Sequence, residues 1–68
     1  MDKFELEKVM YENGDTSKIM AEVLGISLTS FYNRKNERNG SQFTQKDISI
    51  MAKRWKLSPE RLKKIFFS

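Results

Sequence analysis

The sequence contains no cysteine and no histidine. Disulfide bonds, and metal sites built from thiolates or imidazoles, are therefore excluded as supports for the fold. Catalysis by a cysteine nucleophile or a histidine base is excluded as well, and no pair of carboxylates accompanies a pocket-forming segment. The chain also lacks a glycine-rich phosphate loop and a carboxylate cluster with calcium or magnesium spacing. We therefore expect no enzymatic activity, no cofactor and no metal ion.

Long apolar runs are missing too. No stretch approaches the roughly 20 apolar residues that a membrane-spanning helix needs, and no signal peptide is visible. We therefore expect no membrane contact and a cytoplasmic location, which the lack of cysteine also fits. The 68 residues suffice for one domain. Because a domain of this size buries only about 60% of the surface of its unfolded chain, helix packing or a partner chain has to supply its stability.

Charge of one sign dominates each part of the chain. Residues 1–15 hold two lysines and five acidic residues, a net charge of −3, and residues 16–40 carry +2. Residues 41–68 hold seven basic and two acidic residues, a net charge of +5. An acidic end and a basic remainder favour a polyanion facing one side of the molecule. The alternative is a protein whose lysines complement the dipoles of helix C-termini.

The spacing of apolar residues predicts five short helices and no strand. Helices two to five each have a predicted N-cap whose hydroxyl can accept a hydrogen bond from the first turn. These caps are Thr16, Ser27, Thr44 and Ser58. Helix one is marked by its apolar stripe of Leu6, Val9 and Met10. The sequence thus predicts an all-α domain spanning residues 1–68.

Residues that interrupt helices set the predicted boundaries. Asn13-Gly14 should end helix one, and Gly25 should end helix two in a left-handed conformation. Helix three is expected to run from Leu28 to about Glu37, and Asn39-Gly40 should form the turn that follows it.

The segment AEVLGISLTSF, between helices two and three, has the spacing of a sharp helical turn. A small side chain at Ala21 lets the third helix cross close to the second, and Gly25 makes the turn itself. Ile26 fills the corner, and Phe31 fills the space between the helices. This arrangement pushes the third helix outward, as suits a helix that lies in the major groove of DNA.

The stretch TSKIMAEVLGISLTSFYNRK, followed by FTQKDISIMAKRWKLSPERLKKIFF, resembles the small Cro/repressor-type helix-turn-helix proteins of phages and prophages, the XRE-like family. The resemblance covers roughly residues 4–67. It implies a compact five-helix, lambda-repressor-like domain with its helix-turn-helix at about residues 16–37. It also implies that helix three reads operator DNA, usually as a dimer. Two positions differ from many members: Ser17 replaces a glutamine and Lys35 an apolar residue.

At about 100° per residue, Phe31 points towards the core, and the family's motif would turn the opposite face of helix three to the bases. The predicted base-reading residues are Leu28, Thr29, Tyr32, Asn33 and Asn36. Asn33 can form a bidentate pair with adenine, and Leu28 and Thr29 can contact thymine methyl groups. The alternative is packing, for Leu28 near the helix start and for Tyr32 against helix four.

Contacts to DNA phosphates should surround this face, because the N-terminus of helix two offers free backbone N–H groups and a favourable dipole. The predicted phosphate-binding residues are Thr16, Ser17, Lys18, Ser30, Arg34, Lys35, Arg38 and Asn39. For each charged residue the alternative is a solvated surface position.

Phe67 lies about 100° beyond the inward stripe of helix five. That stripe consists of Leu62, Ile65 and Phe66. Phe67 can fold back over helix one near Phe4, or it can meet its own copy across a two-fold axis. One short helix touches few base pairs, so function favours the second alternative: a weak homodimer that tightens on DNA.

Three function classes remain. The first, which we expect, is a sequence-specific regulator of transcription that binds double-stranded DNA, a Cro/repressor-type protein of a phage or prophage. The second is a small protein-interaction module, of antitoxin or anti-repressor type, whose basic helices dock an acidic partner. The third is a basic RNA binder, for which the exposed paired aromatic residues of RNA-reading sheets are missing.

Overall fold

Five helices account for most of the chain in the computed structural model, which describes residues 1–68. They are α1 (Lys3–Glu12), α2 (Ser17–Leu24), α3 (Leu28–Lys35), α4 (Gln45–Trp55) and α5 (Pro59–Phe66), with a 3-10 turn (Arg38–Gly40) between α3 and α4. No strand is present. The prediction of an all-α, five-helix fold is therefore confirmed.

All four predicted N-caps accept a backbone hydrogen bond from the first turn of their helix. The pairs are Thr16 with Ile19, Ser27 with Ser30, Thr44 with Asp47, and Ser58 with Arg61. The Asp47 carboxylate also accepts the Thr44 N–H at 3.0 Å, which completes a reciprocal capping box. A fifth cap is Asp2, whose carboxylate accepts the N–H groups of Phe4 and Glu5 at the start of α1.

The helix ends differ from the prediction at α3. Gly25 ends α2 with φ of +70°, as expected. The expected end of α3 at about Glu37 is wrong, because the helix stops at Lys35. The side-chain amide of Asn36 donates to the Tyr32 carbonyl oxygen at 3.0 Å, and Glu37 then turns into the left-handed region with φ of 53°. A backbone in that region cannot continue a right-handed helix.

One hydrophobic core holds the helices together, with α2 packed on α3 and α1 packed on α5. Its ten buried members are Leu6, Val9, Met10, Met20, Ala21, Phe31, Met51, Trp55, Ile65 and Phe66. Phe43, in the connection before α4, joins two of them: its ring centre lies 5.5 Å from that of Phe31 and 6.4 Å from that of Phe66. Tilted and edge-on aromatic contacts of this kind stabilise a core beyond their buried area.

The charge separation along the sequence is partly cancelled in the fold. Glu5 lies 3.4 Å from the Lys64 ammonium, and Glu12 accepts a hydrogen bond from the Arg61 guanidinium at 2.6 Å. These exposed pairs add little to stability, about 0–1 kcal/mol each. Their larger effect is on the surface, because they neutralise much of α5 and leave free cations elsewhere. The basic residues outside the ion pairs are Lys3, Lys8, Lys18, Arg38, Lys46, Lys53, Lys56 and Lys63.

Candidate nucleic-acid interface

The connection between α2 and α3 has the local features that the sequence predicts for a sharp turn. Only Gly25, Ile26 and Ser27 separate the helices. The Ile26 N–H donates to the Ala21 carbonyl oxygen at 3.0 Å, which closes the end of α2. Ala21 is buried, and Phe31 is fully buried between the helices and the rest of the core. The steep crossing angle of a helix-turn-helix remains a prediction.

Four of the five predicted base-reading residues lie on α3. Leu28 and Tyr32 are 40% and 42% exposed, which is high for large apolar side chains. Thr29 is exposed as well, whereas Asn33 is half-buried. The side chains of Thr29, Tyr32 and Asn33 make no hydrogen bond within the chain. These polar groups are therefore available to an external partner.

Asn36, the fifth predicted base-reading residue, is engaged within the chain. Its amide nitrogen donates to the Tyr32 carbonyl oxygen at 3.0 Å, and its amide oxygen accepts a hydrogen bond from the Lys3 ammonium at 3.2 Å. The amide nitrogen thus helps to end α3, and the amide oxygen connects that end to Lys3 of α1. We leave Asn36 out of the reading face on this ground.

The N-terminus of α2 has free donors where a phosphate was predicted. The backbone N–H groups of Ser17 and Lys18 have no acceptor within the chain, whereas that of Ile19 donates to Thr16. The Lys18 side chain is exposed and unpaired, and Ser17 is half-buried. Two free N–H groups, the helix dipole and one lysine together favour an anion at this position.

The other predicted phosphate-binding residues fall into two groups. Ser30, Arg34 and Lys35 are engaged: Ser30 accepts from the Ser27 hydroxyl at 3.0 Å, and Lys35 lies 3.5 Å from the Glu7 carboxylate and 5.4 Å from the centre of the Tyr32 ring. The Arg34 guanidinium donates to the Asp47 carboxylate at 2.6 Å. Arg38 and Asn39, in the turn after α3, are exposed and free of such contacts.

A buried carboxylate just before α2 was not predicted from the sequence. Asp15 accepts two hydrogen bonds from the Arg54 guanidinium, at 2.9 and 2.8 Å, and one from the Trp55 indole N–H at 2.6 Å. The Arg54 bonds hold the pKa of Asp15 below its ordinary value, against burial, which raises it. Because Asp15 and Arg54 are 39 positions apart in the sequence, no local sequence pattern predicts the pair.

Acid should weaken the fold through Asp15. Its pKa is lower in the folded than in the unfolded chain, so its contribution is fully present above about pH 4 and is lost as the pH falls towards the folded-state value. Asp15→Asn should lower the free energy of unfolding near neutral pH by about 1–3 kcal/mol. It should also flatten the dependence of that free energy on pH in the acid range.

Urea titrations followed by the fluorescence of Trp55, at neutral pH and at several acid pH values, measure this effect. Glu60→Gln is the matched control, because Glu60 is exposed and makes no ion pair. An Asp15→Asn variant that keeps the pH dependence of the parent would show that the Arg54 contact does not stabilise the folded chain.

Comparisons with protein-family models, with curated proteins and with solved structures give no match to this chain. None of the helices combines the length and the apolar character that crossing a membrane requires. No three acidic side chains are grouped so that they could hold a metal ion. The side chains around α3 and the N-terminus of α2 therefore carry the functional assignment.

Proposed function

We propose that this chain is a sequence-specific regulator of transcription that binds double-stranded DNA and places α3 in the major groove. The observation that carries the proposal is the outward face of α3. It combines three polar side chains without hydrogen-bond partners in the chain, those of Thr29, Tyr32 and Asn33, with the exposed apolar side chain of Leu28. Leu28 and the Tyr32 ring thus place apolar surface beside free polar groups, the combination that direct contact with base edges uses.

The chemistry of this face matches base edges. The Asn33 side-chain amide can donate a hydrogen bond to N7 of adenine and accept one from the exocyclic amine of the same base, which forms a bidentate pair. Leu28 and the Thr29 methyl group suit the thymine methyl group, and the Tyr32 hydroxyl can bond to a base edge or a phosphate. The free N–H groups and Lys18 at the start of α2, with Arg38 and Asn39 after α3, would hold the backbone on either side.

Selection from a pool of random duplexes tests the proposal directly. A regulator of this kind should enrich a defined site, whereas a module that binds an acidic protein should enrich none. The enriched site should include an adenine, and the preference for adenine at that position should depend on Asn33. Failure to enrich any sequence, at salt low enough to retain non-specific binding, would remove sequence-specific binding as the function.

Phosphate contacts should appear in the salt dependence of binding. Lys18→Ala and Arg38→Ala should each weaken binding to all sequences about equally and reduce the slope of log K against log salt by about 0.9. Lys63→Ala is the matched control: Lys63 is exposed and unpaired but lies on α5. Titrations at several salt concentrations measure the slopes. A slope that Lys18→Ala leaves unchanged would remove that residue from the DNA contact.

Phe67 is the candidate dimer contact. Its side chain is 60% exposed, and Phe4 is 73% exposed, so Phe67 does not lie buried over α1. Phe67 lines an open cleft whose other apolar members are Met1, Phe43, Ile48 and Phe66. We propose that this region meets its own copy across a two-fold axis, in a weak homodimer that tightens when two copies of α3 bind half-sites about 34 Å apart.

Phe67→Ala should leave helical content nearly intact, because the side chain is already exposed, and should abolish cooperative binding to a paired site. Analytical ultracentrifugation and titration of a duplex with two half-sites measure both effects. Phe4→Ala is the matched control, since it removes an aromatic ring from α1 that is even more exposed than Phe67. The dimer contact is refuted if the parent binds the two half-sites independently.

A second candidate function rests on α1. Phe4 and Tyr11 are 73% and 88% exposed, and Lys8 lies between them at helical spacing. A ridge of this kind fits a module that docks another protein through residues at i, i+4 and i+7. The duplex selection separates the two candidate functions, because a protein-docking module should enrich no DNA sequence. In a DNA-binding regulator, substitutions in the ridge should not alter the binding of DNA.

A further inference from the structure

The segment that contains α2 and α3 is attached to α4 by two ion pairs, one at each end. Before α2, Asp15 is bound by Arg54. Near the end of α3, Arg34 is bound by Asp47. Asp47 and Arg54 are seven residues apart on α4, which places them about 10 Å apart along the helix axis. The two pairs run in opposite directions, since α4 supplies the acid in one and the base in the other.

Within the Arg34–Asp47 pair the acid is more buried than the base. The Asp47 side chain is 6% exposed and that of Arg34 is 27% exposed. The same Asp47 oxygen accepts the Arg34 guanidinium at 2.6 Å and the Thr44 backbone N–H at 3.0 Å. This carboxylate thus fixes the start of α4 and the last turn of α3 to each other. A charged hydrogen bond as short as this is among the strong ones.

We propose that the pair of Arg34 and Asp47 fixes the orientation of α3 and thereby its choice of bases, so that both are positioning residues and Arg34 is not a phosphate contact. The inference rests on the proposed function and replaces the phosphate role that the sequence suggested for Arg34. Two observations support it. The guanidinium is directed to a buried carboxylate, and that carboxylate has no other cation to neutralise it. A cation held in this way adds little net charge for a phosphate to meet.

The orientation of a reading helix matters because hydrogen bonds between its side chains and base edges depend on ångström-level placement. The Asp15–Arg54 pair fixes the other end of the segment, so loss of the Arg34–Asp47 pair should free α3 chiefly at its C-terminal half. Asn33 is adjacent to Arg34 in sequence and should be displaced with it. Contacts at the start of α2 should stay in place.

A double-mutant cycle tests the proposal. The variants are Asp47→Asn, Arg34→Gln and the double substitution. Each is titrated with the duplex selected by the parent protein and with a scrambled duplex of equal length. Asp47→Asn keeps one oxygen that can cap α4, and it replaces the other oxygen by an NH2 group with loss of the charge. The double variant avoids leaving an unpaired buried carboxylate, which could unfold Arg34→Gln alone. Circular dichroism and Trp55 fluorescence report the fold of each variant.

We expect each folded single variant to lose preference for the selected duplex by on the order of tenfold. The double variant should be no worse than the more affected single variant, because both residues act through one contact. The slope of log K against log salt should match that of the parent throughout. Arg34→Lys, which keeps the charge and loses the shape of the guanidinium, should also lose preference without a change in slope.

Two results would overturn the inference while leaving the proposed function intact. One is a slope reduced by about 0.9 in Arg34→Gln, which is the sign of a lost phosphate contact. The other is an Asp47→Asn variant with the full preference of the parent. If the parent itself does not distinguish the selected from the scrambled duplex, the proposed function fails and this inference fails with it.

Discussion

Phe31→Ala is expected to leave much of the protein unfolded at room temperature. The Phe31 side chain has no exposed surface, and its ring contacts that of Phe43 in the core between α3 and α5. Truncation of a buried phenylalanine to alanine costs about 3–5 kcal/mol, because it removes apolar contacts and leaves a cavity. A natural domain of this length has a free energy of unfolding of roughly 3–10 kcal/mol. The substitution therefore removes a large part of the total.

Urea titration followed by circular dichroism and by Trp55 fluorescence measures the loss. Tyr11→Ala is the control, because it removes an aromatic ring that is 88% exposed and should change the free energy of unfolding by less than about 0.5 kcal/mol. Equal effects of the two substitutions would mean that Phe31 is not the centre of the core.

Asn33→Ala should have the largest effect on recognition. If the Asn33 amide pairs with an adenine, its loss costs about 1–3 kcal/mol on the selected site and relaxes preference at one base pair. Asn33 is half-buried, but its amide makes no hydrogen bond within the chain, so the fold should tolerate the change. Titration of the selected duplex, and of duplexes altered at each position, measures both effects.

Asn13→Ala provides the control for Asn33. It removes another asparagine amide, one that donates to the Val9 carbonyl oxygen at the end of α1, and should alter stability without altering base preference. An Asn33→Ala variant that binds the selected duplex as tightly as the parent would show that α3 does not read DNA in this register.

Local chemistry explains why much of the fold could be predicted from the sequence. A cap such as Thr44 and its partner Asp47 are three residues apart, so their types and spacing are visible directly. The same holds for Gly25, whose left-handed conformation follows from its place after an apolar stripe. The end of α3 was harder to predict, because Lys35 and Glu37 both have fair helix propensity. The Asn36 side chain, which donates to the Tyr32 carbonyl oxygen, marks the end in the structure.

The candidate site was predictable in part for a different reason. Spacing places Leu28, Thr29, Tyr32 and Asn33 on one face, but it does not say which polar groups find partners elsewhere. Arg34 is predicted to contact a phosphate, and its hydrogen bond to Asp47, which depends on how α4 packs, is not visible in that spacing. Contacts between residues far apart in sequence follow from the tertiary fold, and their pattern in the sequence carries no signal of its own.

Three residues other than glycine have a positive φ, and relief of the resulting strain would raise the free energy of unfolding. Glu37 and Asn39, both with φ of 53°, and Lys56, with φ of 51°, adopt left-handed conformations that glycine adopts freely. Asparagine tolerates this region best, whereas each of the other two residues bears a penalty of about 1 kcal/mol. Exchange of Lys56 for glycine at the end of α4 releases that penalty without touching α3. A lineage that acquired it could then accept a costly substitution on the outward face of α3 and survive the step to a new binding preference.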